Sequence, residues 1–153
     1  MPSWCWTGAK RVLAACLIVL AGCGPDLPSY GVVTRFSLTD ARNRTMNSAE
    51  LDGKVWVANF IFTNCAGPCP RMSSDMKRLE EAFPGEEKLR FVSFTVDPDR
   101  DTPEVLAAYA KRFRAGDRWY FLTGAQASLH ELKRNTFKLG DVAGNLEHST
   151  RFA

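Results

Sequence analysis

Cys65 and Cys69 stand four positions apart in Cys-Ala-Gly-Pro-Cys-Pro, directly after the apolar run Val55-Trp56-Val57-Ala58-Asn59-Phe60-Ile61-Phe62. A buried strand thus delivers two thiols into the start of a helix. Helix starts carry unpaired backbone N–H groups and the positive end of the dipole, both of which favour thiolate over thiol. If the segment is helical the two sulfurs share one face, and in a loop they are still near enough to meet each other or a common ion. The chemistry on offer is thiol–disulfide exchange or soft-metal binding. A purely structural disulfide is the alternative, but so short a closed loop would stabilise the fold little.

Two thiolates suit Cu(I), and an imidazole added to them makes a three-coordinate site that also holds Cu(II). Zinc is less attractive, because a structural site normally takes four protein ligands and the chain offers only the pair and two histidines, one of them badly placed. His148 lies beside an expected strand start after a glycine-containing loop, whereas His130 follows Leu129 on a helix of mixed polarity. Spacing alone leaves a lone histidine more readily structural than ligating. Met72 and Met76 fit the core-facing register of the helix after Cys69 better than a copper-ligating role. Asp97, at the end of the next strand, either orients a ligand or caps a turn.

The elements that must position these groups alternate. A strand is predicted over Val32–Asp40, then a turn, then a polar turn or helical stub over Ser48–Lys54 stopped by Gly53. Val55–Phe62 reads as a central strand buried on both faces. Met72, Met76, Leu79 and Phe83 mark an amphipathic helix that Pro84-Gly85 ends, and Leu89–Val96 is the next strand. Thr102 and Pro103 are N-cap and first residue of a helix reaching about Phe113. Trp119–Leu122 is a strand, Ala125–Phe137 a helix, and a further strand begins near His148. The order is that of an α/β domain.

The N-terminal segment differs in kind. Lys10-Arg11 precede the apolar stretch Val12–Leu20, too short to span a bilayer as a stable helix, and Leu20-Ala21-Gly22-Cys23 resembles a lipoprotein cleavage box. Residues 1–22 are therefore expected to be a signal peptide, 23–31 a lipid-anchored tether beginning at Cys23, and 32–153 the domain. Cys5 and Cys16 leave with the leader and Cys23 takes lipid, so Cys65 and Cys69 are the thiols that remain. The formal charge of +3 falls to +1 without Lys10 and Arg11. That balance gives no nucleic-acid-binding field.

Three segments, Phe60–Pro70 with its cysteine pair, Val96-Asp97-Pro98-Asp99-Arg100-Asp101-Thr102-Pro103, and Glu147-His148-Ser149-Thr150, resemble the Sco/SenC family in residues and order. The resemblance covers Val32 to the end. It implies a thioredoxin-like fold with an N-terminal strand extension and a role in maturing the dinuclear copper centre of cytochrome c oxidase, outside the bacterial cytoplasmic membrane. It also implies Cys65, Cys69 and His148 as copper ligands and Asp97 as a support or turn residue. The partners implied are the oxidase subunit that bears copper or another copper chaperone, reached from a lipid anchor. Transfer of the ion needs no bond-making catalysis. A thiol:disulfide oxidoreductase that reduces the acceptor's cysteines is the rival function, with a reductase of its own as a further partner. Family members continue after the His-Ser motif through a strand pair and a helix, so with the chain ending at Ala153 one edge and one face of the sheet are expected to lose their cover.

Overall fold

In the computed structural model, which describes residues 28–139 and 152–153, the elements run β1 (Ser37–Asp40), β2 (Thr45–Asn47), a short 3-10 helix (Ser48–Leu51), β3 (Val55–Ile61), α1 (Pro68–Ala82), β4 (Leu89–Thr95), α2 (Pro103–Arg112), β5 (Trp119–Thr123) and α3 (Gln126–Glu131), continued by a π turn (Leu132–Thr136). These belong to the compact unit Gly31–Ala153. No helix among the described residues is long and apolar enough to cross a membrane.

The sheet has the order β2-β1-β5-β4-β3, with β3, β4 and β5 parallel and the β1–β2 hairpin antiparallel to β5. The α/β expectation holds. Among the described residues β3 closes this order, with Ala153 paired to its far side at Ala58. Helices cover both faces, so Ala58 and Phe60 join one core while Ile61 joins the other. A continuous apolar run reports covered faces, and says nothing of position within the sheet. On its outer edge Ala58 exchanges two hydrogen bonds with Ala153, of 2.6 Å and 2.9 Å. That is the pattern of an antiparallel pair, and it falls where the sequence led to the expectation of another strand and an uncovered edge.

The first strand is shorter than expected. Val32 is 87% exposed, and pairing begins only at Ser37. β2 was not expected at all. Its three residues are returned by a tight turn in which Asn43 takes φ 57° and Asp40 accepts from the Arg42 and Arg44 amides. The helix expected over Ala125–Phe137 is interrupted by the π turn, which brings Phe137 against Trp56, Phe60 and Phe94.

Two cores result, one on each face. α3 and the 3-10 helix cover Phe60, Val92, Phe94 and Leu122 through Leu129, Leu132 and Leu51. On the other face α1 and α2 bring Cys69, Met76, Leu106 and Tyr109 onto Phe91, Trp119 and Phe121. Met72 and Met76 are buried, which is the core role their spacing indicated. Each fully buried Phe or Leu contributes about 1.5–3 kcal/mol, enough for these layers to dictate where the loops at the strand ends lie.

Candidate thiol centre

Parallel strands direct their connections to one edge, and loops at the carboxyl ends of such strands collect sites. β3 ends at Ile61, and the chain then turns through Thr63 and Asn64 to Cys65 before α1 begins at Pro68. Gly67 is the N-cap and Pro68 the first helical residue, where a missing N–H costs nothing. Cys65 therefore lies in the turn before α1 and Cys69 in its first turn, so the pair does not share a helical face. The two side chains nevertheless meet in a hydrogen-bonding contact. Neither is in a disulfide, and Cys65 is half-buried while Cys69 is 0% exposed.

Burial pushes the Cys69 thiol up to about 12. The hydrogen bond that the Cys69 thiol donates to Cys65 and the electrostatic influence of Cys65 and Asp101 push the same way, against a backbone hydrogen bond at Phe62. The helix start was expected to favour thiolate. At Cys69 the loss of solvent outweighs it.

Asp97 terminates the strand region as a turn residue. Its carbonyl accepts from the Arg100 amide at 3.2 Å and the Asp101 amide at 2.9 Å, and its carboxylate lies 3.5 Å from the Arg100 guanidinium. The carboxylate built into the thiol loop is instead Asp101, only 1% exposed. It accepts the Thr63 hydroxyl at 2.6 Å, the Thr63 amide at 3.1 Å and the Thr95 hydroxyl at 2.5 Å. One side chain thereby ties the end of β4 and the approach to α2 to the turn that carries Cys65. The sequence signal that marks Asp101 is an acid just before the Thr102 N-cap, at the same sheet edge as the cysteines.

A second polar pair went unread. Ser73, one helical turn beyond Cys69, shares a 2.9 Å hydrogen bond with the Tyr109 hydroxyl, joining α1 to α2 inside the core. Burial pushes the Tyr109 phenol up to about 12, opposed by the Ser73 hydrogen bond and assisted by charge on Cys69 and Cys65.

His148 and Cys23 lie outside the described residues. His130 is exposed on α3, which covers the face opposite α1. Among the described residues no group of three or more His, Cys, Asp or Glu side chains could hold a metal ion. The centre shown is thus a pair of contacting sulfurs, a donor set suited to a soft ion or to disulfide formation.

The SCO1/SenC family model matches residues 26–149, a span that contains Cys65, Cys69, Asp97 and His148. The SCO1 protein homolog of Bacillus subtilis is 39% identical over 106 residues, 67% of this chain and 54% of its own. The chain spans about half the length of the curated relatives it matches. Among solved structures, BsSco, described as a member of the Sco family of cytochrome c oxidase assembly proteins with a disulfide switch, superposes with TM-score 0.67 at 33% identity, over 76% of this chain and 70% of its own. Bradyrhizobium japonicum ScoI, solved with copper bound, shares the fold at TM-score 0.63 and 21% identity, over 80% of this chain and 79% of its own. With more than half of its length matched by the family model and its sheet and helices arranged as in these structures, the chain belongs to the SCO1/SenC family.

Proposed function

We propose that this protein is a copper metallochaperone that helps assemble the dinuclear copper centre of cytochrome c oxidase, working from a lipid anchor at Cys23 on the outer face of the bacterial cytoplasmic membrane. The observation that carries the reading is the contact between Cys65 and Cys69 at the carboxyl end of β3. Two sulfurs held together there supply two soft donors, and His148 is the proposed third. Copper is the cargo. Binding replaces the thiol protons, so uptake by Cys69 must release a proton that burial holds tightly. Asp101, through Thr63, holds the turn that presents Cys65, and delivery proceeds by exchange of these ligands for those of the acceptor.

The test is a titration of the reduced chain, with Cys5, Cys16 and Cys23 changed to serine so that Cys65 and Cys69 are its thiols, in detergent with Cu(I) against a competing chelator. One Cu(I) per chain is expected, with endpoint loss in Cys65→Ser and Cys69→Ser. His148→Ala should weaken retention about tenfold or more, because even residues that only orient a ligand are worth that much. Tight binding indifferent to His148 would remove the three-ligand model.

The contact between the sulfurs and the partial access to Cys65 also support a thiol:disulfide oxidoreductase that reduces the acceptor's cysteines. Disulfide reduction that persists in His148→Ala, with no stoichiometric copper endpoint in the parent chain, would select this second reading.

A further inference from the structure

A cluster of uncompensated positive charge lies at the pole of the sheet opposite the thiols. Each of the three parallel strands is entered through a basic residue: Lys54 precedes β3, Lys88 precedes β4 and Arg118 precedes β5. The registers Val55 with Leu89 and Phe91 with Trp119 set Lys54 beside Lys88 and Arg118 beside Arg90. Like charges opposite each other across a sheet are destabilising, so the fold gains nothing from this arrangement.

These four cations, with Asp52, Gly53 and Glu87, line an open cleft of about 580 Å³. Asp52 is taken by Arg35 at 2.8 Å. Among the described residues, none of the seven ion pairs engages Lys54, Lys88, Arg90 or Arg118. Both guanidiniums are instead fixed by backbone carbonyls. Arg90 donates to the Glu87 and Leu89 carbonyls at 2.6 Å and 2.9 Å, and Arg118 to those of Glu86 and Glu80 at 2.9 Å and 3.1 Å. A carbonyl orients a guanidinium without neutralising it. The cleft therefore holds two pre-oriented planar donors and two lysine ammonium groups against Glu87 and the Arg35-paired Asp52.

We propose that this cleft is a binding site for a phosphate-type oxyanion, separate from the thiol centre by the length of β3, roughly 20 Å. Fixed guanidiniums match tetrahedral oxyanions through parallel N–H donors, and the lysines add charge from the rim. Cleft volume is in the range of ligand pockets and exceeds what inorganic phosphate alone fills. Free phosphate and an anionic phospholipid headgroup share the chemistry.

Footprinting of lysine acetylation on the full chain, read by mass spectrometry, tests the proposal. In non-ionic detergent, inorganic phosphate should slow acetylation of Lys54 and Lys88 roughly threefold or more relative to chloride of equal ionic strength, with Lys111 on α2 unchanged. In vesicles, phosphatidylcholine containing phosphatidylglycerol should protect the same two lysines against pure phosphatidylcholine if a headgroup is the source. Phosphate protection alone assigns a free anion and vesicle protection alone a lipid. Lys54→Gln should lower protection at Lys88 while leaving the unfolding midpoint unchanged. Equal slowing at Lys111, protection by polyglutamate but by neither phosphate source, or no protection in either arm overturns the proposal.

Discussion

The Asp101 carboxylate accepts both the hydroxyl and the amide of Thr63, at 2.6 Å and 3.1 Å, across 38 residues of sequence. A third donor, the Thr95 hydroxyl, closes the cluster. Asp101→Asn replaces one acceptor oxygen by an NH2 group that faces donors, leaving at least one buried hydroxyl or amide unsatisfied. The expected cost is about 1–3 kcal/mol, read as a lower urea midpoint. Because the same bonds hold the turn before Cys65, disulfide formation between Cys65 and Cys69 should also slow. An unchanged midpoint would show that the tether contributes no stability.

Access separates the two thiols. Cys65 is half-buried while Cys69 is 0% exposed, and burial holds the Cys69 proton on. Since thiolate is the reactive form, iodoacetamide on the reduced native chain, read by peptide mass spectrometry, should label Cys65 well ahead of Cys69, which is labelled only as fast as the domain opens. Cys65→Ser should leave the Cys69 peptide nearly unlabelled in the native chain. Equal labelling of both positions would contradict the burial of Cys69.

Much of this arrangement was legible because local signals set it. Pro103 after Thr102 starts α2, and the helical spacing of Met72, Met76 and Leu79 fixes which side of α1 is buried. Cys65 and Cys69 were found from their place after an apolar strand. What escaped depends on partners far along the chain. Asp101 reads as a turn acid until Thr63 and Thr95 surround it, and the Ser73–Tyr109 pair exists only once α1 and α2 pack together. β2 is too short to show a period of two, and the place of β3 in the strand order is invisible to an apolar run that records only its covered faces.

The seat of α1, and with it Cys69, rests on a close approach at its other end. Glu80 is 5% exposed and accepts from Lys77 at 3.0 Å and from the Gly116 amide at 3.1 Å. A Cβ on Gly116 would meet the Glu80 Oε1 at 2.6 Å. Both bonds end on Oε2 while the crowded atom is Oε1, so relief means turning or shifting a buried, hydrogen-bonded carboxylate, and Gly116→Ala should cost about 1–3 kcal/mol in urea unfolding. Glu80→Ser relieves the crowding, and the double variant should lose less than the sum of the single changes. Full additivity would mean that the two residues do not touch.

Stability of the reduced, metal-free chain should fall on the alkaline side in two stages. The Cys69 thiol is raised from 9.0 to about 12 on folding and the Tyr109 phenol from 10.0 to about 12, both chiefly by burial. Below pH 9 the folded and unfolded states hold these protons alike, so neither group makes stability depend on pH. Above it the unfolded chain releases the Cys69 proton while the folded chain keeps it, and proton release then favours unfolding. Tyr109 adds the same effect from its own unfolded value upward. The urea midpoint should thus decline from about pH 9 to about pH 12. Cys69→Ala should delay the onset to about pH 10, where Tyr109 begins to contribute. Tyr109→Phe should keep the early onset and flatten the later fall. A midpoint that stays level through this window, or rises, would show that neither group is held in its neutral form by the core.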